Sequence, residues 1–232
     1  MWNLWVLRKG CRSRLTPEEI SEGYRVLPQF QISEEYYKNF AMRAGPMPGR
    51  ILDIGCGFGE VLEELRKLNP TSEFDGVDIS DKALAHLPAF IHGRLGAAER
   101  LPYDTCAFDY VVMSGVIEHC LGIPQALREV RRVLKPGGRL YLSTDSLAWH
   151  VHMNLKNIFI FWKKPHYHRF KQPIDYEFTR WSLARYLKRA GFKILHFQHS
   201  GPYPFASNLL ARFPFTRGIT KRIEVLCQRT DR

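Results

Sequence analysis

Strand and helix signals alternate from residue 50 onward, and this alternation predicts an α/β fold with a doubly wound, mostly parallel sheet. Three observations carry the prediction. A short apolar run at 50–54 opens onto a glycine turn and then onto an amphipathic segment at 60–68. A second strand–helix unit follows at 74–79 and 81–87. A third joins the apolar run 108–114 to a helical segment at 124–135.

The elements follow in order. Thr16-Pro17-Glu18-Glu19 reads as a helix start, with Thr16 as N-cap, Pro17 at the first position and Glu19 closing a capping box. A helix is expected over 34–43, ending before Gly45-Pro46-Met47-Pro48-Gly49. That stretch separates an N-terminal helical cap, 1–47, from a main domain, 48–232. In 60–68, Val61, Leu62, Leu65 and Leu68 share one face, with glutamates early, Lys67 late and Pro70 beyond the end. The segment 124–135 is amphipathic through Leu127, Val130 and Leu134, and Pro136-Gly137-Gly138 is expected to stop it. A strand at 140–143 follows. After an insertion at about 146–177, Thr179 caps a helix built on Leu183, Leu187 and Ala190, closed by Gly191, and strands at 192–198 and 223–228 finish the chain.

A chain of 232 residues is long enough to bury one full core. No apolar run approaches the ~20 residues that span a bilayer. The apolar start Met1-Trp2-Asn3-Leu4-Trp5-Val6-Leu7 runs into Arg8, Lys9 and Arg12, the reverse of a secretory signal, so a cytoplasmic protein is expected. Five widely spaced cysteines form no C-x-x-C pair, which argues for reduced thiols and for no metal site. The net charge of +11 is concentrated at one end, because residues 151–232 hold sixteen Lys/Arg and four Asp/Glu. Such a basic third attracts anionic lipid, nucleic acid or an anionic substrate, or serves solubility alone.

The strand ending in Asp53-Ile54 runs directly into Gly55-Cys56-Gly57-Phe58-Gly59-Glu60. Glycines there let the backbone turn tightly and approach a ligand closely. A dinucleotide fingerprint needs G-x-G-x-x-G, but its last glycine position holds Glu60, whose charge opposes a pyrophosphate at the helix N-terminus. Asp53 and the G-x-G-x-G spacing suit a cationic, phosphate-free ligand instead. Asp78 closes the next strand about 20 residues on, where a carboxylate accepts both ribose hydroxyls of an adenosine. Capping of the helix that follows is its structural alternative.

Taken together, ILDIGCGFGE, GVDIS, AAERLPY, FDYVVMSGVIEH and EVRRVLKPGGRLYLST, in this order, resemble the class I S-adenosylmethionine (SAM)-dependent methyltransferases. The likeness is to the "type 11" domain group that includes quinone-biosynthesis methyltransferases, and its specific motifs cover about 48–145. The resemblance implies a Rossmann-like seven-stranded sheet with helices on both faces, with SAM as cofactor and S-adenosylhomocysteine as product. It places Asp53, Gly55 and Gly57 around the methionine part, Cys56 and Gly59 also at the cofactor, and Asp78 on the ribose, with Ile79 against the adenine. Ala98 and Glu99 would line the adenine edge, and Ser114 and Gly115 would flank the sulfonium. Family members often carry Asp where Ala97 stands, so Glu99 or a backbone carbonyl is expected to meet the adenine amine.

Methyl transfer from a sulfonium is an in-line displacement, and a base is needed only where the acceptor holds a proton. His119 is the candidate base, or else a polar residue lining the pocket. His166, His168 and Arg169, in the insertion expected to cover the acceptor, are candidate substrate residues, as is Tyr37, which together with Tyr36 either closes over the cofactor or packs on the core. The segment 157–164, Asn-Ile-Phe-Ile-Phe-Trp-Lys-Lys, suits a hydrophobic lid, a membrane-interface contact or a buried strand. With the basic C-terminal third it favours a small or lipid-like acceptor, modified at oxygen, and peripheral membrane contact. Ser114-Gly115-Val116-Ile117 replaces the Asn/Asp-Pro-Pro-aromatic tetrad of base-amine methyltransferases, which disfavours nucleic acid. Competing readings are a non-catalytic SAM-binding module, a methyltransferase for polar metabolites or nucleic acid, and a nicotinamide-linked oxidoreductase.

Overall fold

The computed structural model describes residues 33–147, 176–200 and 222–231. The Thr16 helix start, the segment 157–164 and His166, His168 and Arg169 lie outside these residues. In chain order the described elements are α1 (Glu34–Ala44), β1 (Arg50–Ile54), α2 (Glu60–Leu68), β2 (Glu73–Asp78), α3 (Asp81–Leu84), β3 (Ile91–Leu95), β4 (Phe108–Ser114), a 3-10 turn (Ile117–His119), α4 (Ile123–Val133), β5 (Leu134–Asp145), α5 (Arg180–Arg189), β6 (Phe192–Ser200) and β7 (Arg222–Arg229).

The strands form one sheet in the order β3-β2-β1-β4-β5-β7-β6. The first five run parallel, and β7 inserts antiparallel between β5 and β6. The chain winds outward from β1 to β3, then returns to lay β4 on the other side of β1. That reversal opens a crevice at the carboxyl ends of β1 and β4, where doubly wound sheets take ligands.

Strand alternation builds a core on each face. Leu52, Val111, Met113, Leu140 and Leu142 point toward Leu127 and Val130 of α4 and Leu183 and Leu187 of α5. Ile51, Val112 and Tyr141 point the other way, toward Phe40 of α1 and Leu62 and Leu65 of α2. Each fully buried Leu or Phe contributes about 1.5–3 kcal/mol, so two-sided burial explains why the central strands read as unbroken apolar runs. Phe40 and Ala41, in the expected cap, share this second cluster with Ile51 of the main domain.

Three elements differ from the sequence expectation. Strand β3, Ile-His-Gly-Arg-Leu, was not expected, because it lies at the sheet edge with only Ile91 buried and shows no clean alternation. Helix α3 stops at Leu84, within the segment 81–87. Helix α4 ends at Val133, and Leu134 is already extended and pairs with Phe108. The next pair is Tyr110 with Arg139, so Pro136-Gly137-Gly138 forms an irregularity inside β5 rather than a loop between two elements. Leu134 is fully buried, and its place beneath Phe108 outweighs its fit to the helical period.

Helix α1 is fastened across the sheet by a buried carboxylate. Glu224 on β7 accepts from Arg43 Nε and Nη2 at 2.8 and 2.7 Å, and from the hydroxyls of Tyr141 and Ser200. Gln198 Nε2 adds a bond at 3.1 Å. Although burial alone raises the Glu224 pKa, the Arg43, Ser200 and Tyr141 bonds hold it below the ordinary carboxylate range. Replacing Arg43 by Met would strand that charge. The variant is expected to lose about 2–3 kcal/mol in urea unfolding, because a buried charge without its partner is expensive. Adding Glu224→Gln should recover most of the loss.

Candidate active site

Gly55, Gly57 and Gly59 all have positive φ, at 71°, 54° and 93°. Gly55 is further constrained by space, because a Cβ there would lie 2.4 Å from Val116 Cγ2. The turn after β1 therefore packs directly on the turn after β4. Cys56 is buried, and its thiol fills the place where a side chain on Gly76 would stand, 2.7 Å from that Cβ.

The cleft formed there collects one short segment from each strand end. Ile54 and Gly55 come from β1, Asp78 and Ile79 from β2, Gly96 to Glu99 from the loop after β3, and Gly115, Val116 and 119–121 from the loop after β4. Asp78 Oδ2 accepts from Gly57 N at 2.9 Å and Oδ1 from Ser80 N at 2.8 Å. The carboxylate thus couples the glycine turn to the end of β2. Ser80, not Asp78, caps α3, its hydroxyl accepting from Ala83 N at 3.3 Å.

Asp53 sits beneath the glycine turn, 1% exposed, and its Oδ1 has no hydrogen-bond partner among the described residues. Burial pushes its pKa well up, and the charges of Asp78 and Glu60 push it further. Burial also raises Asp78, against the lowering by the amides it accepts from. Concentrated negative charge with an orphan oxygen fits a cationic ligand and opposes a pyrophosphate. Such surroundings suit the SAM cation; of the residues that would hold it, Gly55 and Asp78 line the cleft, and Asp53 lies buried beneath it. Glu99 lines the cleft, yet its Oε1 already accepts from Gly122 N at 3.1 Å, so the carboxylate braces the loop after β4.

The 3-10 turn after β4 separates two adjacent residues. His119 lines the cleft, whereas Glu118 turns inward and is 3% exposed. Burial pushes the Glu118 pKa up to about 7, Asp145 adds to the rise, and Thr144 and Arg222 act against it. Tyr37 is pushed up to about 12, by burial first and then by Glu60. Tyr36 crosses the strand ends instead, its hydroxyl 2.7 Å from Ser114 Oγ and 3.1 Å from Ser143 Oγ. Arg222 at the start of β7 donates to that hydroxyl at 2.6 Å and pairs with Asp145 at 3.3 Å. Sequence reasoning missed Ser143, Asp145 and Arg222. The polar run Ser143-Thr144-Asp145 closing an apolar strand was the available signal, and nothing in the sequence announced Arg222.

Over residues 31–197 the chain matches the family model described as a methyltransferase domain, and it belongs to that family. It is a SAM-dependent methyltransferase. It is 28% identical over 212 residues to the demethylmenaquinone methyltransferase of Symbiobacterium thermophilum, a match covering 85% of this chain and 77% of that one. It is 30% identical over 206 residues to the ubiquinone/menaquinone biosynthesis C-methyltransferase UbiE of Rubrivivax gelatinosus, covering 85% and 70%. The crystal structure of a SAM-dependent methyltransferase from Mesorhizobium loti shares the fold with a TM-score of 0.63 at 19% identity, covering 85% of this chain and 98% of the other.

Two outcomes follow from the site. Asp78→Ala should weaken S-adenosylhomocysteine binding about 10- to 100-fold in calorimetry, the cost of losing hydrogen bonds to a charged group. Glu118 is an acid raised by folding, so the stability present below its ordinary pKa of 4.5 is lost as pH rises toward about 7. Glu118→Gln should accordingly stabilise the fold at pH 8 by about 3 kcal/mol in urea unfolding, and leave it unchanged at pH 4.

Proposed function

We propose that this methyltransferase modifies a hydroxyl oxygen of a small, lipid-like acceptor. The observation that carries the choice of oxygen is the turn after β4. There two proton-accepting side chains, Glu118 and His119, follow within four residues of Gly115, the residue that the resemblance sets beside the sulfonium. An acceptor hydroxyl must lose its proton during transfer, and a base near neutral pH suits that task. The names of the two relatives support a lipid-like acceptor, since both refer to quinone biosynthesis. One of them is named as a C-methyltransferase, which makes carbon the competing acceptor atom.

Peripheral membrane contact belongs to the same proposal. On α5 the buried face is Leu183 and Leu187, and the opposite face presents Trp181, Arg185, Lys188 and Arg189. Trp181 is 83% exposed, and the helix contains no acidic residue. A tryptophan among cations on an outward face suits an anionic headgroup layer.

The first test supplies tritiated SAM to a lysate of source cells, followed by organic extraction. Label is expected in the organic phase with the wild-type enzyme and absent with Asp78→Ala. Label found only in water-soluble products would refute the lipid-like acceptor. For the membrane face, the protein should pellet with vesicles of phosphatidylcholine and phosphatidylglycerol but not with phosphatidylcholine alone. Reversing Arg185, Lys188 and Arg189 to Glu should release it, and undiminished pelleting would remove α5 from the interface.

A further inference from the structure

The two ends of the cleft differ in chemistry. Toward the glycine turn the surroundings are carboxylate-rich, with Asp53 buried beneath the turn and Asp78 on the wall. SAM carries its ammonium group at one end, its ribose in the middle and its adenine at the other. With the ammonium near Asp53 and the ribose on Asp78, the adenine extends away from the turn, toward the loop after β3. That loop meets the loop after β4 where Glu99 Oε1 accepts from Gly122 N at 3.1 Å. Ala97, Ala98, Glu99, Cys120 and Leu121 line the cleft there, with Ile79 at the end of β2.

The polar groups of this wall are engaged with the protein itself. Ala97 O accepts from Arg100 N at 3.0 Å, closing a turn, and Glu99 O accepts from Gln125 Nε2 at 3.3 Å. The Cys120 thiol donates to Val116 O at 3.5 Å, and burial pushes its pKa far up, so it stays neutral. Glu99 is the only carboxylate at this end among the described lining residues, and it braces the turn after β4. The loop is pinned as well. A Cβ on Gly96 would lie 2.8 Å from Pro102 Cδ and 3.1 Å from Val77 Cγ2, and Gly96 N donates to Asp78 O at 3.0 Å. Ala97 is half-buried and Arg100, three residues on, is exposed, so the wall borders solvent there. An amine turned into the apolar part of the wall would lose its water without gaining an acceptor, which is costly. Turned past Ala97, it keeps its water.

We propose that this enzyme reads the adenine by shape and leaves its exocyclic amine in water beside Ala97. It therefore takes SAM and S-adenosylhomocysteine analogues that lack the amine or carry an alkyl group on it. Ala97 determines this specificity through the shortness of its side chain. A carboxylate at the same position would reach toward the amine, accept from it and make the site discriminate, because a site built to bond an N–H rejects the analogue without one. The rival partner for the amine is Glu99, whose charge lies on the same wall. The inference concerns the cofactor alone and stands whatever the acceptor is.

The test is calorimetry on the full-length protein with S-adenosylhomocysteine, its analogue with hydrogen in place of the amine, and its analogue methylated on the amine. The wild-type protein is expected to bind all of them within about threefold of one another, since an apolar wall discriminates weakly. Ala97→Asp should bind S-adenosylhomocysteine at least about tenfold more tightly than the amine-free analogue, the worth of a hydrogen bond to a charged group. A wild-type preference of about tenfold or more for S-adenosylhomocysteine over the amine-free analogue would overturn the proposal. Loss of that preference in Glu99→Gln would then assign the amine to Glu99. Rejection of the methylated analogue by the wild-type protein would also overturn it, because an amine standing in water has room for a methyl group. The wild-type comparison decides the matter even if Ala97→Asp does not fold.

Discussion

Val116 Cγ2 occupies the space that a side chain on Gly55 would need, and this contact joins the two loops on which the whole site is built. One loop leaves β1 and the other leaves β4, strands that are neighbours in the sheet although more than fifty residues apart in the chain. The bare α-carbon lets the Val116 side chain pack directly on the turn after β1. Closure brings Asp78 within bonding distance of Gly57 N, and the same approach leaves Asp53 buried beneath the turn. The site's negative charge is therefore a product of packing, and the carboxylates tolerate it only as protonated groups or against a cation.

A gradient of charge runs across the carboxyl edge of the sheet. Around β1 and β2 it is carboxylate-rich and suited to the SAM cation. Around β5 and β7 it carries Arg222, paired with Asp145 and braced by Tyr36. The two regions meet at the turn after β4. That turn is short and tight, which is why adjacent residues, Glu118 and His119, face different surroundings.

Helix α1 does more than cover the sheet. Phe40 packs edge-on against Tyr141, Arg43 neutralises Glu224, and Tyr36 reaches the Ser114 and Ser143 hydroxyls. These residues lie at positions 36, 40 and 43, spacings that bring them onto one helical face. A single helix thus fixes both the floor of the core and the orientation of the Arg222 guanidinium.

The order of the main elements and the parallel sheet were legible in the residues themselves, because they rest on local patterns. Apolar runs mark buried strands, glycines mark a turn, and the acid expected to close the second strand, Asp78, does close it, at the cleft. The edge strand β3 was not legible, since exposure on four of its five residues erases the alternation. The true end of α4 was hidden as well, because burial of Leu134 beneath Phe108 is a contact between strands. Arg222 is the clearest case of what only tertiary structure decided. It lies over a hundred residues from Gly115, and the antiparallel pairing of β7 with β5 places Arg222 opposite Asp145, with its guanidinium beside that glycine. Local sequence carries the propensities that make strands and turns, whereas the meeting of distant charges depends on strand order and register, which only the folded sheet defines.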